Sequence, residues 1–138
     1  MEKKIILYAI LTLNFYSYSQ TLKKVIELET KYLECLDNGI GMKNCPINFY
    51  STSDSLLNVA YKNLKIKMNV AEQNNLQIEQ RKWLKKRDEY FKKAYVEAKK
   101  ENSGETQGSD FTMFYFNKKS EFVIQRVKEL INRINKIK

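Results

Sequence analysis

Very little in this sequence interrupts a helix. Its 138 residues contain one Pro and four Gly, and its apolar residues recur at helical spacing over most of the chain. Proline and glycine are the residues that most strongly end helices and begin turns, so their scarcity favours long helices over a many-stranded sheet. The sequence therefore predicts an all-α fold, a small antiparallel bundle of about four helices.

The spacing of the apolar residues sets the approximate helix boundaries. The predicted helices span residues 21–37, 46–70, 76–100 and 111–137. Pro46 suits a first helical turn, where its missing N–H is no loss. A polar bend is predicted at residues 72–75, and residues 101–109, which include no apolar side chain, are predicted to form a loop. Short connections of this kind place successive helices antiparallel.

The N-terminus has the parts of a cleavable secretory signal. A short basic start precedes an apolar run that ends near Tyr16, and Ser17 and Ser19 supply the small residues that signal peptidase requires before its cut. The apolar run is too short to cross a bilayer of about 30 Å. We expect residues 1–19 to be removed and residues 20–138 to form one soluble, exported helical domain, periplasmic or secreted. An N-terminal anchor or a buried strand is the alternative.

Loss of the signal leaves a strongly cationic chain. The whole sequence has 25 basic and 16 acidic side chains and a net charge of +9; residues 1–19 hold two Lys and one Glu, which leaves 23 and 15 and a net charge of about +8. The sequence contains no histidine, so it excludes Ser-His-Asp and Cys-His nucleophile systems and His-based zinc sites. We expect a protein that is not an enzyme and carries no cofactor or metal.

Two cysteines remain after the signal, Cys35 and Cys45. Export places them where disulfides persist, and Gly39 and Gly41 allow a tight path between them. We expect the two to pair, with two unpaired structural thiols as the alternative.

Ionisable residues interrupt the apolar stripes of two neighbouring helices. Asp54 lies in the stripe of the second helix and Arg87 in that of the third. A lone desolvated charge costs several kcal/mol, so we expect the two to form an ion pair. The predicted cluster also holds Asn58, Tyr61, Gln80 and Trp83, whereas Asp88 is expected to face outward. Such a cluster is either a ligand site or a buried network that fixes helix register. If it is structural, Arg87→Ala should cost about 3 kcal/mol or more.

The order and spacing of these residues resemble the LprI-type lysozyme inhibitor domain family. The resemblance extends roughly from residue 31 to residue 130. Its motifs are Cys35, Gly41-Met42-x-x-Cys45, Asp54-x-x-Leu57-Asn58-x-x-Tyr61, Gln80-x-x-Trp83-Leu84-x-x-Arg87-Asp88, Gly108-Ser109 and Arg126-x-x-x-Leu130.

What the resemblance implies is an exported bacterial helical domain, named for a member that inhibits lysozyme. Members often carry further cysteines after the Arg-Asp pair and in the last helix. This chain has Tyr90-Phe91 and residues 115–118 there, without cysteine, so a second disulfide is absent. The family name does not say which residues touch lysozyme.

Charge is an obstacle to binding a basic lysozyme, because a partner of about +8 would be repelled at long range. The best candidate for a local acidic surface is the loop that carries Glu101, Glu105 and Asp110 with no Lys or Arg between them. A plain solvated loop is the alternative.

Two functions from different classes fit the sequence. The first is an inhibitor that blocks a lysozyme or another peptidoglycan hydrolase. The second is a cationic module that binds anionic envelope polymers or lipids through Lys- and Arg-rich stretches such as residues 81–82, 85–87 and 92–93. Solvated helix faces would explain the same stretches. Nucleic acid also suits the charge, but export makes it an unlikely partner.

Overall fold

The computed structural model describes residues 22–104, 106 and 108–137. They form four helices and no strand, which confirms the predicted all-α class. The helices are α1 (22–37), α2 (Asn44–Lys65), α3 (Val70–Glu101) and α4 (Ser109–Lys136). The predicted signal peptide, residues 1–19, lies outside the described residues.

Helix α4 is the centre of the bundle, packed closely on α2 and also on α3. Ion pairs show that α3 and α4 run in opposite directions. Glu79, early in α3, pairs with Arg133 near the end of α4 at 2.8 Å, whereas Glu97 near the end of α3 lies 3.8 Å from Lys118 in the first half of α4. Among the described residues, no helix is long and apolar enough to cross a membrane.

The core forms where α2 meets α4, because both helices present continuous apolar faces there. On α4, Val123, Val127 and Leu130 are fully buried, and they meet the buried Ala60 and Leu64 in one apolar cluster. Other members of the cluster are Val25, Phe49, Leu56, Leu57, Leu76, Ile124, Ile131 and Ile134.

The predicted disulfide is present. Cys35 in α1 and Cys45 in α2 are bonded, with their Cα atoms 5.8 Å apart. The bond ties the end of α1 to the start of α2 across the short connection between them. Gly39 and Gly41 in that connection have φ values of +69° and +65°, which residues with a Cβ rarely adopt.

The predicted bend at residues 72–75 is wrong. The chain turns earlier, at residues 66–69, and residues 72–75 lie inside α3. The backbone N–H of Glu72 donates to the Asn69 side chain at 3.0 Å, and the Asn69 backbone N–H donates to the Glu72 carboxylate at 2.9 Å. This capping box makes the polar stretch a helix start, since it satisfies two N–H groups that the first turn leaves unpaired.

The core face of α2 is rotated from the apolar stripe that the sequence predicts, and two of the five stripe residues are buried in the core, Leu57 and Leu64. The predicted stripe consists of Tyr50, Leu57, Tyr61, Leu64 and Met68. Phe49, Ser53 and Leu56 are buried toward the core, whereas Tyr50, which belongs to the predicted stripe, and Asp54, which interrupts it, are only partly buried. The predicted stripe lies toward α3, and α3 packs less closely on the rest of the bundle than α2 does. Polar groups on this stripe therefore keep contact with water.

Candidate functional site

An open groove of about 290 Å³ lies between α2 and α3. Helix α2 contributes one side and α3 the other, and the groove gathers most of the residues that the sequence singled out. Its lining residues are Asp54, Leu57, Asn58, Tyr61, Gln77, Gln80, Arg81, Leu84 and Arg87. The motifs of α2 and α3 thus converge on one surface feature.

Arg87 lines this groove together with Asp54, but its closest partner is not the expected one. Its Nε and Nη2 atoms donate to Asp88 Oδ1 at 3.0 and 2.8 Å, whereas its Nη1 atom is 4.0 Å from Asp54 Oδ1. Its guanidinium carbon lies 5.9 Å from the centre of the Trp83 ring and 5.7 Å from that of Phe91. Lying over rings of its own helix, the group reaches its neighbour in sequence more closely than the carboxylate across the groove.

The cluster is also less buried than the sequence predicts. The side chains of Arg87 and Asp54 are 23% and 40% exposed, and Asn58 is exposed as well. Asp88 was expected to face outward, and its side chain is 59% exposed. The Asn58 amide donates to the backbone carbonyl of Asp54 at 3.2 Å, within its own helix. The cause is that α3 packs less closely on the bundle than α2 does, so the groove between α2 and α3 stays open to water. An ion pair with this exposure contributes little to stability.

The buried charge in the described part of the chain is Arg126 of α4, which is 6% exposed. Its Nε and Nη2 atoms donate to Gln80 Oε1 at 3.2 and 3.1 Å, so Gln80 serves Arg126 as well as lining the groove. Nη2 also donates to Glu79 at 2.7 Å and Nη1 to Glu129 at 3.2 Å.

Arg126 is one of the family-motif residues of the sequence, but the burial of its charge was not predicted, although the signal was present. Arg126 is four residues after Phe122 and four before Leu130, so it interrupts the apolar stripe of α4 as Arg87 does that of α3.

Glu79 is the shared acceptor of two arginines. It accepts from Arg126, and both of its carboxylate oxygens accept from Arg133, at 2.9 and 2.8 Å. Partial burial raises the pKa of Glu79, but hydrogen bonds from the arginines and their charges outweigh burial, so the pKa lies below its ordinary value of 4.5. The carboxylate is therefore favoured in the folded protein.

We expect Glu79 to make the protein acid-sensitive. Because its pKa is lower in the folded than in the unfolded chain, its contribution is complete above about pH 4.5 and is lost as the pH falls through the folded value. Urea denaturation at pH 7 and pH 3.5 should show a smaller acid-induced loss of stability in Glu79→Gln than in the wild type. Glu97→Gln is the control and should behave as the wild type. It removes an exposed ion pair in which Glu97 Oε2 lies 3.8 Å from Lys118 Nζ. Equal losses in all three proteins would contradict the assignment.

A second cation, Lys119, lies among four aromatic rings. Its Nζ atom is 4.0 Å from the ring centre of Tyr50, 4.7 Å from Phe116, 4.9 Å from Phe91 and 5.1 Å from Tyr115. Burial, and then the charge of Arg87, lower the pKa of Lys119, while Asp54 opposes them. The contact joins α4 to both α2 and α3 through cation–π attraction.

The residues of the predicted acidic surface lie around the α3–α4 connection. Glu101 is in the last turn of α3 and Asp110 in the first turn of α4, and both are exposed. Glu105 lies outside the described residues. Asp110 also interacts favourably with the N-terminal dipole of α4, which is a sufficient structural reason for its charge. A partner surface here stays a prediction.

The described residues offer binding groups rather than a metal centre. They contain no group of three or more His, Cys, Asp or Glu side chains placed to hold a metal ion. The groove provides three amides, one phenol, one carboxylate and two guanidinium groups, which recognise polar partners by hydrogen bonding.

Together these features define a small disulfide-bonded helical domain whose motif residues meet in a groove between two helices. Its residues 35–130, well over half of the chain, match the family model described as lysozyme inhibitor LprI. The chain belongs to the LprI lysozyme inhibitor family. Neither the curated proteins nor the solved structures include one that matches it.

Aromatic rings occupy the places where the resemblance leads one to look for further cysteines. Tyr90 of α3 stacks on Phe122 of α4 with ring centres 4.6 Å apart, and Phe91 meets the same ring at 6.4 Å. Tyr115 contacts Tyr95 at 5.7 Å. Ring packing thus holds α3 on α4 without a covalent bond, since aromatic pairs stabilise beyond their buried area.

Proposed function

We propose that this protein is exported and blocks a peptidoglycan hydrolase by binding to it, without catalysing a reaction of its own. The observation that carries the proposal is the family match over residues 35–130, because the family is described as a lysozyme inhibitor. The disulfide between Cys35 and Cys45 supports export, since such bonds persist in oxidising compartments.

Within this function, we infer that the α2–α3 groove is a structural polar cluster and not the surface that contacts the hydrolase. Arg87 packs on the Trp83 ring, donates to Asp88 of its own helix and lies 4.0 Å from Asp54 across the groove, so its donors already have partners within the protein. The hydrolase then binds to another surface of the protein. Arg87→Ala should accordingly inhibit as strongly as the wild type, molecule for molecule.

Lysis of bacterial cell walls by hydrolases of several classes, with and without the purified protein, tests the proposed function. We expect a concentration-dependent slowing of lysis by at least one class. Failure to slow any of them at a large molar excess would contradict the proposal. Arg87→Ala runs beside the wild type, and loss of inhibition by this folded variant would show that the groove itself contacts the enzyme.

A second function is favoured by the charge on α3. Eight basic side chains of this helix are exposed and form no ion pair with the described residues: Arg81, Lys82, Lys85, Lys86, Lys92, Lys93, Lys99 and Lys100. They would suit an anionic envelope polymer.

Salt distinguishes the two functions. Binding to an anionic polymer such as polyglutamate should weaken steeply as salt screens the lysines. Inhibition of a basic hydrolase should persist at high salt, and association with the hydrolase should become faster, because the same screening removes like-charge repulsion. Retention on polyglutamate at high salt would contradict the polymer function.

A further inference from the structure

The connection between α1 and α2, residues 38–43, forms an exposed loop closed by the Cys35–Cys45 bond. Every residue of this loop is exposed. On one side the N–H of Gly39 donates to the carbonyl of Leu36 at 3.1 Å, and on the other the N–H of Asn44 donates to the carbonyl of Gly41 at 2.9 Å. The loop is therefore held by a covalent bond and by a turn at each side.

The tip of this loop is apolar. Ile40 is 88% exposed, the highest value among the large apolar side chains that lie on the described surface, and Met42 is 40% exposed. Isoleucine is among the residue types most often buried. A single exposed apolar side chain needs no explanation. Here, however, two of them project from one short cross-linked loop.

Cross-linking prepares the loop for binding. A flexible loop loses conformational entropy when a partner orders it, and a disulfide removes much of that cost beforehand. Gly39 and Gly41 hold φ values of +69° and +65° and have open space where a Cβ would lie, apart from one contact at 3.9 Å to Asn44. The result is a narrow, convex element that presents Ile40 outward.

The chemistry of the loop fits a concave acidic site. Clefts that bind ligands are mostly apolar and aromatic with a few placed polar groups. Glycoside hydrolases add a pair of carboxyl groups beside the scissile bond. The loop offers Ile40 for the apolar wall and Lys43 for the carboxyl groups, and it contains no Asp or Glu from residue 38 to residue 43. The local charge is thus complementary even where the two whole proteins repel each other.

We propose that the loop at residues 38–43 is the element that enters the substrate cleft of the peptidoglycan hydrolase, with Ile40 as its buried anchor. This inference rests on the proposed function and names its contact surface. A side chain that becomes buried at the centre of an interface contributes far more to affinity than those at the rim.

Ile40→Asp tests the anchor, and Ile66→Asp is its matched control. Ile66 is 75% exposed in the turn after α2, at the other end of that 22-residue helix and so roughly 33 Å away. Binding of each purified protein to the inhibited hydrolase is measured by calorimetry, with circular dichroism as the check on folding. We expect Ile40→Asp to bind about tenfold or more weakly and Ile66→Asp to bind as the wild type. Tetra-N-acetylglucosamine, which occupies the cleft of a hydrolase acting on this glycan, should compete with the wild type.

The outcomes separate the two proposals. If the wild type inhibits and Ile40→Asp binds equally well, the loop is not the contact and the proposed function stands. If the wild type binds without inhibiting, the proposed function fails and the loop does not enter the cleft. Absence of any binding by the wild type overturns both. A dimer that Ile40→Asp converts to a monomer with unchanged affinity for the hydrolase would make the loop a self-association surface and overturn the inference.

Discussion

Replacing Arg126 with Ala is expected to lower the free energy of unfolding by about 3 kcal/mol. The residue is 6% exposed, and its side chain holds the side chains of Gln80, Glu79 and Glu129 together. Its removal leaves a void between α3 and α4, and the Gln80 side-chain oxygen loses the hydrogen bonds that Arg126 donates to it. This loss of stability lies near the lower end of the range for a broken buried ion pair, because Glu79 keeps its hydrogen bonds to Arg133.

Arg87→Ala is the control for this prediction, because it removes the same side chain from the surface of α3. We expect it to cost only about 1 kcal/mol, since its ion pairs are solvated and such pairs contribute little. Urea denaturation of both variants at pH 7 measures the difference. The sequence predicted a cost of about 3 kcal/mol or more for Arg87→Ala and made no prediction for Arg126. Equal losses, or a larger loss for Arg87→Ala, would show that the groove rather than the Arg126 network carries the stability.

Breaking the disulfide is expected to cost about 2 to 3 kcal/mol. The bond closes a loop between residues ten apart in sequence, and its main effect is to restrict the unfolded chain. We therefore expect a reductant to lower the urea midpoint of the wild type, while the four helices still form. The Cys35→Ser, Cys45→Ser double variant should have the midpoint of the reduced protein.

The double variant also serves as the control for this experiment, because it contains no thiol. Its midpoint should not change when the reductant is added. An unchanged midpoint in the wild type would mean that the bond contributes nothing to stability. Inhibition measured on the double variant then tests whether the closed loop is needed for binding beyond its effect on folding.

Local patterns in the sequence were sufficient for the helices and for the covalent link. The scarcity of Gly and Pro and the spacing of apolar residues predicted an all-α chain, and the two cysteines predicted a bond that is present. The family resemblance was also carried by residue types and spacing alone, and the match over residues 35–130 confirms it. These features depend on residues close together in sequence or on their identities, so no tertiary information was needed.

The bend after α2 shows how local signals compete. Residues 72–75 are polar and were predicted to be irregular, yet Glu72 completes a capping box with Asn69. A polar stretch is favourable both in a turn and in a first helical turn. The Asn-x-x-Glu spacing was the signal that distinguishes the two.

Which polar residues are buried was decided by the tertiary structure alone. Asp54 and Arg87 interrupt their apolar stripes as Arg126 does, so helical periodicity predicts the same degree of burial for all three. Only Arg126 is deeply buried, because α4 is enclosed by its neighbours, whereas the α2 and α3 residues flank an open groove. The rotation of each helix about its axis depends on how all four faces pack together. The sequence by itself determined the helices, the disulfide and the family, and packing decided which charges lie in the interior.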